Sequence, residues 1–392
     1  MTPAYSTRIK NLQESATIAI ATLASELKAK GQDILSFSAG EPDFDTPQAI
    51  KDAAKDALDK GYTKYTPVAG IPELKSAIAA KLQRENALTY APNQILVSNG
   101  AKQSLFNAFA ALIDEGDEVI IPSPYWVTYP ELVSYHGGKS VFIETSPATD
   151  FKITPEQLRQ AITPKTKALV LTSPSNPTGM VYTKDELTQI AKILESTNAY
   201  IISDEMYEKL IYEGSFTSIA SVSEDSYRRT ITINGLSKSV AMTGWRMGYL
   251  ACADTKLVKL MTNLQSQCTS NINSITQHAS IVALSGKVDD KIESMRQAFL
   301  SRRNLACEKI NKIEGISVIP PHGAFYLFID ISKLARKMDS MEFCKQALEK
   351  AGLAFVPGLA FGMEGFIRMS FACGEAQISE GLDRLERFIK AL

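Results

Sequence analysis

Thr230-Ile231-Thr232-Ile233-Asn234-Gly235-Leu236-Ser237-Lys238-Ser239, followed closely by Met242-Thr243-Gly244-Trp245-Arg246-Met247-Gly248-Tyr249-Leu250-Ala251-Cys252, decides how this chain is read. The first segment opens as a β-branched strand and runs into a small-residue turn that carries one lysine. The second reads as another apolar strand, entered through an arginine. A lysine held in such a turn and partly removed from water can form a Schiff base with an aldehyde. The nearby arginine can grip a phosphate in bidentate fashion.

Working outward, further short apolar runs fit the same pattern. They are Ile95–Ser98, Glu118–Ile121, Lys167–Thr172 and Tyr200–Ser203, in addition to Thr230–Ile233 and Arg246–Cys252. Each ends at glycine, proline or a polar turn: Asn99-Gly100, Pro122-Ser123-Pro124 and Ser173-Pro174 are the clearest. A helical stretch follows Gly100, over 101–113. Continuous apolar strands alternating with helices predict an α/β domain with a buried, mostly parallel sheet flanked by helices. After Gly286 the pattern changes. Ile292, Met295, Phe299, Leu305 and Ile310 share a helical face, and Gly315 is the expected stop of that helix. Strand-like Ala324–Ile329 and Phe366–Phe371, with a helix over 341–351 and another at the C-terminus, predict a smaller α+β domain. The expected division is 41–286 for the large domain, and 1–40 with 287–392 for the small domain and its N-terminal segment.

The chain has 392 residues, with 45% hydrophobic and 22% charged residues, which is ordinary for a soluble two-domain protein. A net charge of −1 gives no electrostatic footprint for nucleic acid. No apolar run is long enough to cross a membrane, and Met1–Arg8 lacks the apolar stretch of a signal peptide, so the cytoplasm is expected. Five scattered cysteines lack Cys-x-x-Cys spacing, and His136, His278 and His322 are isolated. A metal site and a histidine-based triad are therefore not expected.

The polar residues fall at the carboxyl ends of the predicted strands, where open α/β sheets bind ligands. An aldehyde that also carries a phosphate points to pyridoxal 5'-phosphate (PLP), and an acid is then needed for its pyridinium nitrogen. Asp204, after strand Tyr200–Ser203, is the candidate. A strand-end aspartate also serves as a helix N-cap, and Lys238 at the end of another strand decides between the two readings. Tyr207, one turn further if a helix starts there, and Asn176 can donate to the phenolic oxygen of the ring, which lowers the pKa of the Schiff base. Gly100, Ala101 and Lys102 open a helix whose N–H groups can bind phosphate, with Ser237 and Arg246 completing the cup. Trp126 can stack on the ring. Arg368 lies in an apolar strand and requires an anion: a substrate carboxylate or a structural salt bridge.

Together these residues resemble the fold-type I PLP-dependent aminotransferases of class I. The motifs are Ser-Pro-Ser-Asn-Pro-Thr-Gly (173–179), Ser-Asp-Glu-Met-Tyr (203–207), Leu-Ser-Lys-Ser (236–239) and Met-Thr-Gly-Trp-Arg-Met-Gly-Tyr (242–249). Ala39–Pro47, Tyr65–Leu74 and Pro320–Tyr326 extend the likeness over nearly the whole chain, and the prokaryotic-type aspartate aminotransferases are most similar. The resemblance implies that Lys238 carries PLP and shuttles the proton, that Asp204 pairs with the ring nitrogen, and that Tyr207 is the third catalytic residue. It implies that Arg368 clamps the substrate α-carboxylate with Asn176, Trp126 and the backbone of Gly40. Tyr65 would reach the phosphate of a neighbouring subunit, so a homodimer with shared sites is implied. The small domain and N-terminal segment would close over the substrate. The implied substrates are amino acids and 2-oxo acids, with L-aspartate and 2-oxoglutarate foremost. One departure bears on this: 269–276, Thr-Ser-Asn-Ile-Asn-Ser-Ile-Thr, has no lysine or arginine where animal-type aspartate enzymes place a second arginine. Ser15 and Thr17 match a pocket-side segment of the prokaryotic-type relatives. Aromatic amino acids or prephenate are the alternative substrates, and a PLP lyase of the same fold is the alternative reaction.

Overall fold

A computed structural model describes residues 5–392. Residues 1–4, part of the expected N-terminal segment, lie outside the described residues. The central sheet has seven strands: β1 (Ile95–Asn99), β2 (Glu118–Ser123), β3 (Lys139–Glu144), β4 (Thr166–Thr172), β5 (Tyr200–Asp204), β6 (Thr230–Gly235) and β7 (Met247–Cys252). Their order is β1-β7-β6-β5-β4-β2-β3. Neighbours from β3 through to β6 run parallel, while β7 is antiparallel to both β6 and β1. The strands are apolar on both faces because helices cover both: Ile201, Ile202, Ile231 and Ile233 are fully buried.

The helices that position the site are α1 (Ala16–Ala29), α2 (Pro72–Asn86), α3 (Ala101–Leu112), α4 (Thr128–Tyr135), α5 (Asp289–Ile310), α6 (Ser340–Ala351) and α7 (Glu375–Lys390). Pro72 at the first position of α2 is placed where a missing N–H costs nothing. β8 (Tyr326–Asp330) and β9 (Phe366–Ser370) pair antiparallel in a second, four-stranded sheet, with Phe328 opposite Arg368. The α1 helix packs Ala24 and Leu27 against Leu348 and Ala354, and Leu35–Ser36 adds a short parallel strand to Leu353–Ala354. The N-terminal segment therefore lies on the C-terminal elements.

Three readings of the sequence differ from the structure. β3 went unnamed: as an edge strand it is only half-buried, and its charged ends hide the apolar alternation. The helix from Asp289 stops at Ile310, ahead of Gly315, with Asn311 as its cap. Met206–Lys209 form a turn rather than the start of a helix. Among the described residues, no helix is long and apolar enough to cross a membrane.

Candidate active site

A cavity of about 720 Å³ opens at the carboxyl edge of the parallel strands. The antiparallel sense of β7 explains how Arg246 gets there. A strand running the opposite way begins where its neighbours end, so Arg246, directly before Met247, lies beside Gly100. Gly248 pairs with Ser98 on one side and Gly235 on the other. A Cβ on Gly248 would fall 2.2 Å from the amide nitrogen of Ala101, so only glycine lets α3 start against this strand.

Gly100 caps α3 with φ +79°, and a Cβ there would meet Arg246 Nη2 at 2.6 Å. Arg246 itself has φ +57° and donates from Nη1 to the Thr243 carbonyl at 2.8 Å. This left-handed arginine sets its guanidinium against Gly100, just ahead of the first turn of α3, whose amide donors a helix cannot satisfy internally. Ser237 and Lys102 also line the cavity, and Lys102 Nζ lies 4.9 Å from the Trp126 ring centre. Burial, then the Arg246 charge, lowers the Lys102 pKa.

Lys238 is half-buried and donates to the Gly40 carbonyl. Burial is the main cause that pushes its amine down to about 8; Arg246 and Arg368 add to the shift, while Glu41 and Asp204 oppose it. Asp204, the last residue of β5, is buried. Its Oδ2 accepts from the Tyr129 hydroxyl at 2.8 Å, and its Oδ1 from the Met206 amide at 3.3 Å. Burial raises its pKa above the ordinary carboxylate value against those bonds and the Lys238 charge. Tyr207 and Tyr326 join hydroxyls at 2.8 Å.

Arg368 projects from β9 and is 2% exposed. Its Nη1 donates to Asn176 Oδ1 at 3.0 Å and its Nη2 to the Ser38 carbonyl at 2.9 Å, while Nε–H has no partner. The guanidinium lies 4.4 Å from the Tyr326 ring centre and 5.0 Å from that of Phe361. Among the described residues no carboxylate pairs with it. The structural salt bridge that the sequence left open is therefore absent there.

These residues suit a phosphate-bearing pyridine aldehyde. Asp204 is a buried carboxylate with neutral donors only, and a cationic ring N–H would complete it. The start of α3, Ser237 and Arg246 form a concave anion cradle that side chains at Gly100 and Gly248 would fill. A half-buried lysine with a lowered pKa stands between them.

Of the residues singled out from sequence, Ser15, Thr17, Gly40, Ala101, Lys102, Trp126, Asn176, Asp204, Tyr207, Ser237, Lys238, Arg246 and Arg368 line this one cavity. Gly100 lies directly behind it. Tyr65 does not join them: it is 91% exposed and faces away from its own chain. Sequence reasoning missed Tyr129, Tyr326, Thr172, Ser38 and Glu41. Tyr129 had a weak signal, since it follows Trp126 by three residues, and its amide donates to the Trp126 carbonyl at 3.1 Å. Tyr326 had none, because a tyrosine within Phe325–Ile329 reads as core.

A family model described as "Aminotransferase class I and II" matches residues 32–385. The chain is 49% identical to an aspartate aminotransferase of Bacillus sp. (strain YM-2), over 98% of each chain. It is 45% identical to a probable aspartate/prephenate aminotransferase of Aquifex aeolicus, over the full length of both. The solved structure of aspartate aminotransferase from Thermus thermophilus with maleate matches with a TM-score of 0.95 at 43% identity, covering 99% of this chain and 100% of that one.

Proposed function

The chain belongs to the class I and II aminotransferases, and on that premise we propose that it moves the amino group of L-aspartate to 2-oxoglutarate, giving oxaloacetate and L-glutamate. Transamination with PLP is the activity of the family. The observation that carries the acidic preference is the charge of the cavity wall. Lys102, Lys238, Arg246 and Arg368 face Glu26, Glu41 and Asp204. With Arg246 assigned to the phosphate, Asp204 to the ring nitrogen and Lys238 to PLP, Arg368 is left for the α-carboxylate and the Lys102 ammonium for a distal one, with Glu26 and Glu41 as the remaining acids of the wall. Aromatic amino acids or prephenate are the second reading, supported by Ile18, Ala21 and Trp126 on the same wall.

When bound, PLP supplies an electron sink for the charge that develops at the substrate α-carbon. Lys238 holds it covalently, and its low pKa keeps a neutral amine available near physiological pH. Once exchanged for the substrate amine, Lys238 is the general base and acid that moves the α-proton. Asp204 keeps the ring nitrogen protonated, and Tyr129 fixes the carboxylate that does so. Asn176 accepts from Arg368 with Oδ1, which leaves its Nδ2–H₂ to donate toward the ring oxygen alongside Tyr207. Gly100, Ala101, Lys102, Ser237 and Arg246 hold the phosphate. Arg368, Asn176, Trp126 and the Gly40 backbone orient the α-carboxylate, with Ser15 and Thr17, whose hydroxyls meet at 2.8 Å, on the far wall.

The unit that carries the cofactor is 41–286, and 1–40 with 287–392 form the covering unit. The working form is a homodimer with shared sites, supported by the outward placement of Tyr65 beside exposed Tyr62. The location proposed is the cytoplasm, as expected from the sequence.

The test is the visible absorption spectrum of the purified holoenzyme, recorded before and after single amino acids without a 2-oxo acid. L-Aspartate and L-glutamate should discharge the visible band. Discharge by aromatic amino acids alone would move the substrate, and no discharge by any amino acid would overturn the assignment.

A further inference from the structure

Asp204 ends β5, paired with Thr172 and Ile233, and Tyr207 sits three residues further on, in a segment that no regular ladder holds. Residues 206–209 form an isolated turn, braced within the backbone by Glu208 N–H to the Glu205 carbonyl at 3.1 Å and Leu210 N–H to the Tyr207 carbonyl at 2.8 Å. Tyr207 leaves this turn toward the cavity and Tyr326. Its neighbour Glu208 leaves the other way, into a charged cluster under α2.

That cluster is buried. Lys81 is 3% exposed, and the Glu208 side chain is 7% exposed. Lys81 Nζ donates to Glu208 Oε1 and, at 2.9 Å, to Asn86 Oδ1; Asn86 Nδ2 donates to Glu208 Oε2 at 2.7 Å. The next residue of the turn is tied to the same helix, Lys209 Nζ lying 2.8 Å from Glu85 Oε2. Burial alone would lower the Lys81 pKa, but the Glu208 carboxylate outweighs it and holds the ammonium above its ordinary value. A buried ion pair is a poor source of stability, because desolvating both charges offsets their attraction. What it does supply is geometry, since a charged pair with a shared amide has one good arrangement and apolar contacts have many. None of Lys81, Asn86 or Glu208 lines the catalytic cavity.

We propose that the Lys81–Asn86–Glu208 cluster is a positioning device for the reaction: by stapling the 206–209 turn to α2 it fixes the Tyr207 hydroxyl in the active site and, through the Met206 amide, one oxygen of the Asp204 carboxylate. The inference rests on the transaminase reading of that site.

The test uses holoenzyme with PLP. Lys81→Met combined with Glu208→Leu replaces the pair by apolar groups and leaves no lone buried charge. This variant should fold, with a melting temperature lowered by several degrees, because buried Asn86 loses both side-chain partners at about 1–3 kcal/mol each. It should lose roughly tenfold to a hundredfold in kcat, the effect of misplacing a group that acts on the reacting atoms. The pH midpoint of the visible band should also move, by about half a unit or more, because the groups that tune it have moved. Lys81→Arg, which keeps the charge, should return both readings toward wild type. A folded double variant with wild-type kcat and midpoint overturns the proposal. If the double variant does not fold, Asn86→Ala, which removes one tie and keeps the ion pair, is read the same way, with a smaller expected loss of about threefold to tenfold in kcat. A wild-type protein without a visible band would instead sink the reading of the site, so the two failures are distinguishable.

Discussion

Replacing Arg368 with leucine separates two roles that a buried arginine can have. The guanidinium has five N–H donors. One on Nη1 goes to Asn176 and one on Nη2 to Ser38, which leaves Nε–H and one on each Nη for a ligand. A carboxylate that takes two of them gains two charge-assisted bonds worth about 1.5–3 kcal/mol each. Their loss should lower kcat/KM for L-aspartate and L-glutamate by roughly a hundredfold to ten-thousandfold. Arg368→Lys keeps the charge but not the fork, so a loss of about tenfold to a hundredfold is expected.

The stability of the free protein should behave differently. Arg368 is buried without a carboxylate, and burial lowers its pKa. Leucine removes that desolvated charge, a relief of several kcal/mol. Against this stand two orphaned acceptors, Asn176 Oδ1 and the Ser38 carbonyl, at about 1–3 kcal/mol each, and the lost contact with Tyr326 and Phe361, at about 0.5–2 kcal/mol. The opposing contributions are similar in size, so thermal unfolding should shift by only a few degrees. Spectral titration with amino acids and a melting curve on the same preparation read both quantities. An arginine that served as a structural ion would give the reverse pattern: a large fall in melting temperature with unchanged substrate affinity. That result would refute the reasoning.

Two further predictions concern the cofactor. The Lys238 amine must be neutral to attack an aldehyde, and its pKa is pushed down to about 8. The rate of PLP uptake by the free protein should therefore rise about tenfold per pH unit below 8 and level off above it. Rapid-mixing absorbance checks this, and a rate still climbing at pH 10 would mean that the amine is not desolvated; Lys238→Ala should show no covalent uptake at any pH. Gly248→Ala drives a methyl group to within 2.2 Å of the Ala101 amide. The start of α3 must then shift, so equilibrium dialysis should show PLP affinity falling by at least tenfold, and wild-type affinity would show that the cradle tolerates a wider strand.

The six strands read from sequence are all present because each is buried on both faces and bounded by turn residues, so the apolar run is itself the signal. β3 escaped notice because it is largely open to solvent and mixes polar with apolar residues, whereas β1, at the other edge of the sheet, is covered on both faces. The site was legible wherever chemistry and strand ends coincide, as at Lys238, Asp204 and Arg246. Arg246 was assigned to the phosphate cup on spacing alone, and the reversed direction of β7 is the physical reason it lies beside Gly100 at the start of α3. Ser15 and Thr17 were found only through family likeness, since two hydroxyls ahead of a helix carry no chemical signal of their own. Tyr129 and Tyr326 were illegible for another reason: a tyrosine hydroxyl acquires its role from a partner distant in sequence, Asp204 for one and Tyr207 for the other.

The same reasoning explains why the carboxylate clamp sits on a different sheet from the cofactor cradle. Arg368 is held by β9, opposite Phe328, yet its two fixed bonds go to Asn176 after β4 and to Ser38 beside the N-terminal segment. An arginine on the cofactor sheet would lie among the groups that hold the phosphate and the ring, where Arg246 and Lys238 already repel added positive charge. Placed on the second sheet, it would meet the substrate from the opposite wall; the Asn176 oxygen accepts from it, which leaves the Asn176 amide for the ring. On the proposed roles, a substrate carboxylate bound by Arg368 would tighten contacts between the two sheets and Asn176 at once. Such tightening would exclude water from the α-carbon when the correct anion is present, and so would couple recognition of the amino acid to the chemistry performed on it.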